Sequence, residues 1–512
     1  MKLPINQLLE ERVRVRQSHN RLSRAQIDRH EQWVVVAGKG FLTEPVRKSG
    51  LPYADNLIQG LEEDGPASSG LSHPLLHETV LPNSRGTRAL LTLIEPSRMM
   101  FDLLSWAKKV VKQAKSSRSK GPILVQLMSE NATCQERVVR ALVAAAAAWV
   151  GPMPDYRKKP ARQDRTIALS FYGLQQKIDL SIELAAGQGN NLARFLTAQP
   201  ANYLTPALYR KAVTTLSRAY GWKMQFLDVA ALQKKKAGAF LAVCQGSATR
   251  DAGIVHLSYR PSRPRQRGAK RLALVGKGIC FDTGGTNLKP ARHMVDMHED
   301  MEGSAVALGT LLALTELEYP HPIDCWLALA QNHIGPLAYK QSDVVHAMNG
   351  LGIEVVHTDA EGRMVLADTL TLASHNKPDL IIDYATLTGS CVHALGTTYS
   401  GVFTNRESWL PDLIEAGQDS GERVWPFPMD KNFDRTLESQ VADLKQCTLD
   451  GEADHILAAR FLSHFIGKCQ WVHVDLSAGK HKGGLAHIPT DITGFGVRFT
   501  LDLLLNKKIL QH

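Results

Sequence analysis

The sequence predicts an α/β protein with a small N-terminal α/β domain and a larger C-terminal domain built on a mainly parallel, helix-covered sheet. Three observations predict this. After about residue 250, near-continuously apolar runs alternate with helical patterns, the signature of parallel strands buried on both faces. The first 180 or so residues carry a separate set of β-rich runs. Between the two lies "PANYLTP" (200–206), where two prolines punctuate a boundary. The expected division is 1–184 for the N-terminal domain, 185–200 for a helical connector and 201–512 for the C-terminal domain.

In chain order, "WVVVAG" (33–38), "RALLTLIE" (88–95), "PILVQLM" (122–128) and "TIALSFYG" (166–173) read as strands. A helix is expected over 129–150, opened by a Ser129 cap. The polar stretch "EEDGPASSGLSHP" (62–74) reads as an exposed loop. A helical segment over 189–199 leads to the boundary. Beyond it "AGIVHLSY", "RLALVGKG", "IDCWLALAQN", "GIEVVHT", "DLIIDYATLTG" and "WVHVDLSAG" read as strands, and 303–318 and 363–376 as helices.

Composition narrows the function classes. Apolar residues make up 44% and charged residues 21%, ordinary for a soluble globular chain. No apolar run approaches the roughly 20 residues that a membrane-spanning helix needs. "MKLPINQLLEERVRVR" has no apolar signal core, and Glu10 and Glu11 argue against a transit peptide. The seven cysteines include no CxxC pair, which fits reduced thiols in the cytoplasm and disfavours a cysteine-based zinc site. The net charge of +10 permits anionic partners without requiring them. Its sharpest concentration, "YRPSRPRQRGAKR" (259–271), reads as a solvated loop or, alternatively, as a contact for nucleic acid, although no aromatic residues interleave for stacking.

Chemistry concentrates in two places. In "HTDAEGRMVLADTL" (357–370), Asp359, Glu361 and Arg363 occupy alternate positions. Alternate residues of an extended segment face one side, so this spacing would aim two carboxylates and a guanidinium into one space. The second cluster is "RLALVGKGICFDTGGTNLKPARHMVDMHEDMEGSA" (271–305), where a strand expected to end at Lys277 is followed by Asp282, Gly284, Gly285, Lys289 and Asp300. Neither GxxxxGK[ST] nor GxGxxG is completed, and HExxH and GxSxG are absent. Four carboxylates at strand ends either cap turns separately or share a cation. If they share one, oxygen-rich ligation suits Mg²⁺, Mn²⁺ or Zn²⁺, and paired metals need bridging carboxylates of this kind.

The ordered motifs "VGKGICFDTGGTNLKP", "DMHEDMEGSA" and "HTDAEGRMVLAD" resemble the leucyl (cytosol) aminopeptidase family of dimetal exopeptidases. "NLARFLTAQPANYLTP", "GAFLAVCQGS", "ATLTGS" and "TGFGVRF" extend the resemblance over roughly 185–505. It implies that residues 201–512 form a catalytic domain carrying a dimetal site. Lys277, Asp282, Asp300, Asp359 and Glu361 would ligate two divalent ions, Mn²⁺ or Zn²⁺, with Asp282 and Glu361 reaching both. Lys289 would stabilise the oxyanion, and Arg363 would hold a bicarbonate that accepts a proton from the metal-bridging water. Met297 would line the side-chain pocket, and the stretch Thr386, Leu387 and on to Gly389 would line the substrate backbone. The implied reaction is hydrolysis of the N-terminal residue from peptides with a free N-terminus, by a cytoplasmic homohexamer. The competing class is a nucleic-acid-binding or scaffolding hexamer with weak or no peptidase activity, supported in sequence by 259–271 alone.

The chain departs from the pattern at His357, usually Asn, at Glu302, usually small, and at Asp454 and His455, where relatives are richer in small residues. Glu302, if helical, would diverge from Asp300 by about 200°. His346 and His393 read as structural. These departures bear on substrate preference, since no implied ligand is lost.

Overall fold

In a computed structural model, the described residues are all those of the chain except 1, 2, 4, 9, 39–48, 64–75, 95–98, 116–120, 130, 161–165, 262–268 and 512. The strands are β1 Val13–Gln17, β2 Gln32–Gly38, β3 Leu76–Val80, β4 Arg88–Ile94, β5 Ile123–Leu127, β6 Ile167–Tyr172, β7 Lys223–Asp228, β8 Gly253–Tyr259, β9 Leu272–Asp282, β10 Ile323–Asn332, β11 Val344–His346, β12 Gly352–Glu354, β13 Leu380–Ala385, β14 Ser400–Thr404, β15 Val424–Pro426, β16 Leu444–Lys445 and β17 Gln470–Asp475.

The N-terminal strands form a six-stranded sheet, ordered β1-β6-β5-β2-β4-β3, with β3 its one antiparallel member. Helix Ala132–Trp149 packs on it, and its run "ALVAAAAAWV" is buried apart from the half-buried Trp149, as expected of small side chains pressed close to a sheet. The helix starts later than the sequence reading placed it. Asn131, not Ser129, caps it, and its Oδ1 accepts from Cys134 N at 2.9 Å. The polar stretch 62–74 falls almost wholly outside the described residues, as do 262–268 of the basic run 259–271.

The second sheet has eight strands in the order β15-β14-β17-β13-β9-β10-β8-β7. Its centre, β17-β13-β9-β10, is parallel. Alternation along β9 explains the layers. Leu272 and Leu274 face a core shared with helices Ser181–Thr197 and Glu302–Glu316, while Ala273 and Val275 face one shared with helix Glu361–His375. Helix Ser181–Thr197 also packs against helix Ala132–Trp149, so it touches both parts of the chain.

Two features of the sequence reading change. β9 continues past Lys277 to Asp282, because β10 keeps pairing with it as far as Asn332 opposite Asp282. The "GIEVVHT" run yields only the short β12, after which the chain turns toward the sheet. The chain passes from β9 to β10 on one side and later to β13 on the other. The strand order therefore reverses around β9, and open α/β sheets place ligands at the carboxyl ends of strands flanking such a point.

Candidate metal centre

Lys277 sits inside β9 opposite Ala328, with a side chain only 4% exposed. Its Nζ lies 2.7 Å from Asp300 Oδ1 and 2.9 Å from Glu361 Oε1, and it donates to Thr386 O at 2.9 Å. One ammonium thus joins β9, the turn before helix Glu302–Glu316, the first residue of helix Glu361–His375 and the segment after β13. Burial pulls the Lys277 pKa down, but the Asp300, Glu361 and Asp282 carboxylates outweigh it and hold the amine protonated above its ordinary range.

At the end of β9 the chain turns through Gly284 and Gly285, at φ +87° and +68°, left-handed backbone that glycine adopts without strain. Gly284 N donates to Asp282 Oδ1 at 2.8 Å, and Asn332 Nδ2 donates to the same oxygen at 2.8 Å. The loop returns Lys289 over the strand end, where its Nζ meets Asp282 Oδ2 at 2.8 Å and Asp359 Oδ1 at 2.5 Å. Ligand oxygens of Asp282, Asp359 and Glu361 all lie within 4.8 Å of one another.

These carboxylates are poorly compensated. Asp300 Oδ2 and Glu361 Oε2 are buried with no hydrogen-bond partner among the described residues. Burial, then repulsion from Glu361 and Asp282, pushes the Asp300 pKa well up, against the pull of Lys277. Burial also raises Asp282, with Asp359 adding to it and Lys289 opposing. Orphaned carboxylate oxygens at positions that resist ionisation are what a divalent cation would satisfy.

Arg363 does not share this space by alternation, as the spacing suggested. The helix begins at Glu361, so period-two geometry ends there and the two side chains diverge. Arg363 is buried, donating from Nη1 to Gln446 O at 2.9 Å and from Nη2 to Asp454 Oδ1 at 2.7 Å.

The eleven residues named for ligation, catalysis or substrate contact all line one cavity of about 900 Å³: Lys277, Asp282, Lys289, Met297, Asp300, Asp359, Glu361, Arg363, Thr386, Leu387 and Gly389. Glu302 lines it too, 2% exposed, packed so closely on Gly479 that a Cβ there would collide with its carboxylate; burial pushes its pKa up to about 8. His357 Nδ1 accepts from Asp359 N at 3.2 Å. The sequence reading missed Asn332, Asp475 and Lys480. Asn332 had a local signal, the polar pair Gln331 and Asn332 closing a largely apolar strand. Asp475 closes β17 and accepts from Leu387 N, Thr388 N and Thr388 Oγ1, fixing the loop after β13.

Comparison with known proteins bears on the family and the fold. Residues 191–501 match the family model described as the cytosol aminopeptidase family, catalytic domain. A probable cytosol aminopeptidase of Syntrophotalea carbinolica is 38% identical over 348 residues, 67% of this chain and 69% of the relative. A mutant of tomato leucine aminopeptidase superposes with a TM-score of 0.80 at 26% identity, over 96% of both chains. The bottromycin maturation enzyme BotP, in complex with Mn, superposes at 0.74 with 27% identity, covering 93% of this chain and 99% of BotP. With three strand ends of the parallel sheet meeting at one carboxylate-lined cavity, and with the matched region containing every residue of it named above, the chain belongs to the cytosol aminopeptidase family and is a peptidase of the aminopeptidase type.

Proposed function

We propose that the protein is a metal-dependent aminopeptidase that hydrolyses the N-terminal residue from peptides through two divalent ions, Mn²⁺ or Zn²⁺, held by Lys277, Asp282, Asp300, Asp359 and Glu361. The observation that carries this is the convergence of those five side chains with Asp300 Oδ2 and Glu361 Oε2 buried and unpartnered. Manganese has the added support of the Mn complex of BotP. Such ions, when bound, supply Lewis acidity toward the scissile carbonyl and a water of lowered pKa.

The chain's own residues supply the rest. Lys289, held cationic above its ordinary range because Asp282, Glu361 and Asp359 outweigh the cost of burial, would donate a hydrogen bond to the developing oxyanion. Lys277 would ligate only as the free amine, so metal loading would displace its proton. Thr386, Leu387 and Gly389 form the wall along which the substrate backbone would lie, and Met297 offers an adaptable apolar surface for the departing residue's side chain. Such ions would also offer a place for the substrate's free amine, which would give specificity for a free N-terminus. The same reading makes 201–512 the catalytic domain, with 1–184 and the connector 185–200 ahead of it, and places a homohexamer in the cytoplasm. Among the described residues no helix is long and apolar enough to cross a membrane.

The bicarbonate that the resemblance implies on Arg363 does not fit the residues present. Nη2 donates to the Asp454 carboxylate at 2.7 Å, so this buried guanidinium already has a counter-anion beside it; Nη1 donates to Gln446 O, and the buried Nε has no hydrogen-bond partner among the described residues.

The test is release of a chromophore from leucyl and other aminoacyl derivatives by metal-stripped protein resupplied with Mn²⁺ or Zn²⁺, beside Asp359→Ala. Turnover restored by metal and absent in the variant is the expected result. Silence of the wild type across metals and substrates overturns the reading.

A further inference from the structure

The cavity holds more carboxylates than a metal pair needs, and most of the surplus is committed. Asp296 Oδ2 and Glu299 Oε1 receive Lys480 Nζ at 2.7 and 2.8 Å. Asp475 is spent on the loop after β13. Glu302 lies buried beneath Gly479. With the four proposed metal-binding carboxylates set aside, Asp454 remains.

Asp454 is built into the site. It is the first residue of helix Asp454–Ser463, entered through Ala453 in left-handed backbone at φ 50°, and a helix N-terminus favours an anionic side chain. Its Oδ1 accepts from the buried Arg363, while Oδ2 accepts no hydrogen bond among the described residues. The side chain is 23% exposed and lines the same cavity as the metal-binding residues.

The histidines of the cavity are less suited to receive a proton. His357 Nδ1 accepts the Asp359 amide, so the neutral ring carries its hydrogen on Nε2 and has no lone pair to offer. His293 is exposed, and its Nε2 accepts from Arg292 Nε at 3.1 Å.

We propose that the Asp454 carboxylate, held by Arg363, is the proton acceptor of the hydrolysis, so that the chain itself supplies the anion which the resemblance assigns to a bound bicarbonate. This rests on the aminopeptidase reading above. As the attacking water's oxygen bonds to the scissile carbonyl carbon, its O–H bond breaks and the proton passes to Asp454 Oδ2. When the C–N bond breaks, that proton goes to the leaving amine, and Asp454 returns to its ionised form. Water is consumed, no external oxidant or base is needed, and Arg363 keeps the carboxylate oriented throughout.

The experiment uses metal-loaded, desalted full-length protein in carbon-dioxide-free buffer, with and without added sodium bicarbonate, comparing wild type, Asp454→Gly and Asp454→Asn. Turnover is read together with calorimetric binding of bicarbonate and with the melting temperature, which shows that each variant is folded. The wild type is expected to turn over equally in both buffers and to bind no bicarbonate. Asp454→Asn, which fills the same space but holds no basic carboxylate, is expected to lose about 100-fold or more and to stay low. Asp454→Gly should lose as much without bicarbonate, recover with it, and bind it.

A wild type that needs bicarbonate, or an Asp454→Asn variant within a few-fold of wild type, overturns the proposal. A wild type silent on every aminoacyl substrate overturns the aminopeptidase reading and the proton-transfer role with it. Calorimetry then still decides who occupies Arg363: binding by the glycine variant alone supports Asp454 as the occupant, and binding by the wild type refutes it.

Discussion

Lys277 Nζ and Glu361 Oε1 lie 2.9 Å apart, one from the middle of β9 and the other from the first turn of the helix that precedes β13. This pair and Asp300 hold the floor of the cavity together. Ligation would exchange the ammonium proton for a dication. Glu361→Gln is therefore expected to remove most of the stabilisation that metal confers. That stabilisation is about 2.7 kcal/mol for each site when the free metal is 100 times its dissociation constant. Melting curves with and without Mn²⁺ measure it. A variant that gains as much as the wild type refutes the assignment.

Gly362 is where that pair is most easily disturbed. A Cβ at this position would meet Lys277 Cε and Nζ at 2.7 Å and Cδ at 2.8 Å. Alanine normally improves a helix by about 1 kcal/mol over glycine. Here the overlap is expected to cancel that gain and cost about 1–3 kcal/mol, as overpacking does. Gly362→Ala should therefore melt lower than wild type and bind metal more weakly, both read in a metal titration followed by thermal unfolding.

Lys289 separates binding from catalysis. Its Nζ touches Asp282 and Asp359 without being a proposed ligand. Lys289→Ala is expected to keep its metal content and lower kcat by about 100- to 1,000-fold, the usual consequence of removing one oxyanion donor. Elemental analysis beside steady-state kinetics distinguishes this from loss of metal, which would show instead if Lys289 mainly shaped the site.

Glu422 predicts a pH dependence of stability away from the site. It is buried, and burial pushes its pKa from 4.5 up to about 7, although Gly496 N and Phe499 N each donate to Oε2 at 2.8 Å and favour the ion. The folded pKa lies above the unfolded one, so the folded state binds the proton more tightly. The associated stability is full below the unfolded value near 4.5 and is lost as pH rises through about 7. At 1.36 kcal/mol per pKa unit the loss is about 3 kcal/mol. Glu422→Gln keeps an acceptor for the two amides and has no proton to lose. Its melting temperature should fall less than the wild type's between pH 5 and pH 8.

The alternation of apolar runs and helices was readable because burial on both faces leaves β9, β10 and β13 mostly apolar. β10 falls on the residues that the apolar run marks, 323–332. Short edge strands such as β1, "VRVRQ", escaped because alternating arginines look the same in a solvated loop. The expected end of β9 at Lys277 also failed. Whether a strand continues depends on what its neighbour offers, and here β10 pairs as far as Asp282.

Local order alone therefore determined the α/β class and, through motifs, the family, and it marked side chains that the fold brings to one cavity. Propensity, periodicity and spacing are properties of neighbouring residues, and those residues are neighbours in the sequence. Only the tertiary structure decided that Arg363 turns to Asp454, that Lys480 takes Asp296 and Glu299, and that Asp475 fixes the loop after β13. Each of these joins groups from separate segments, brought together by the packing of helices on the central sheet. Their partners depend on how far apart those segments end in space, a distance that no stretch of sequence contains.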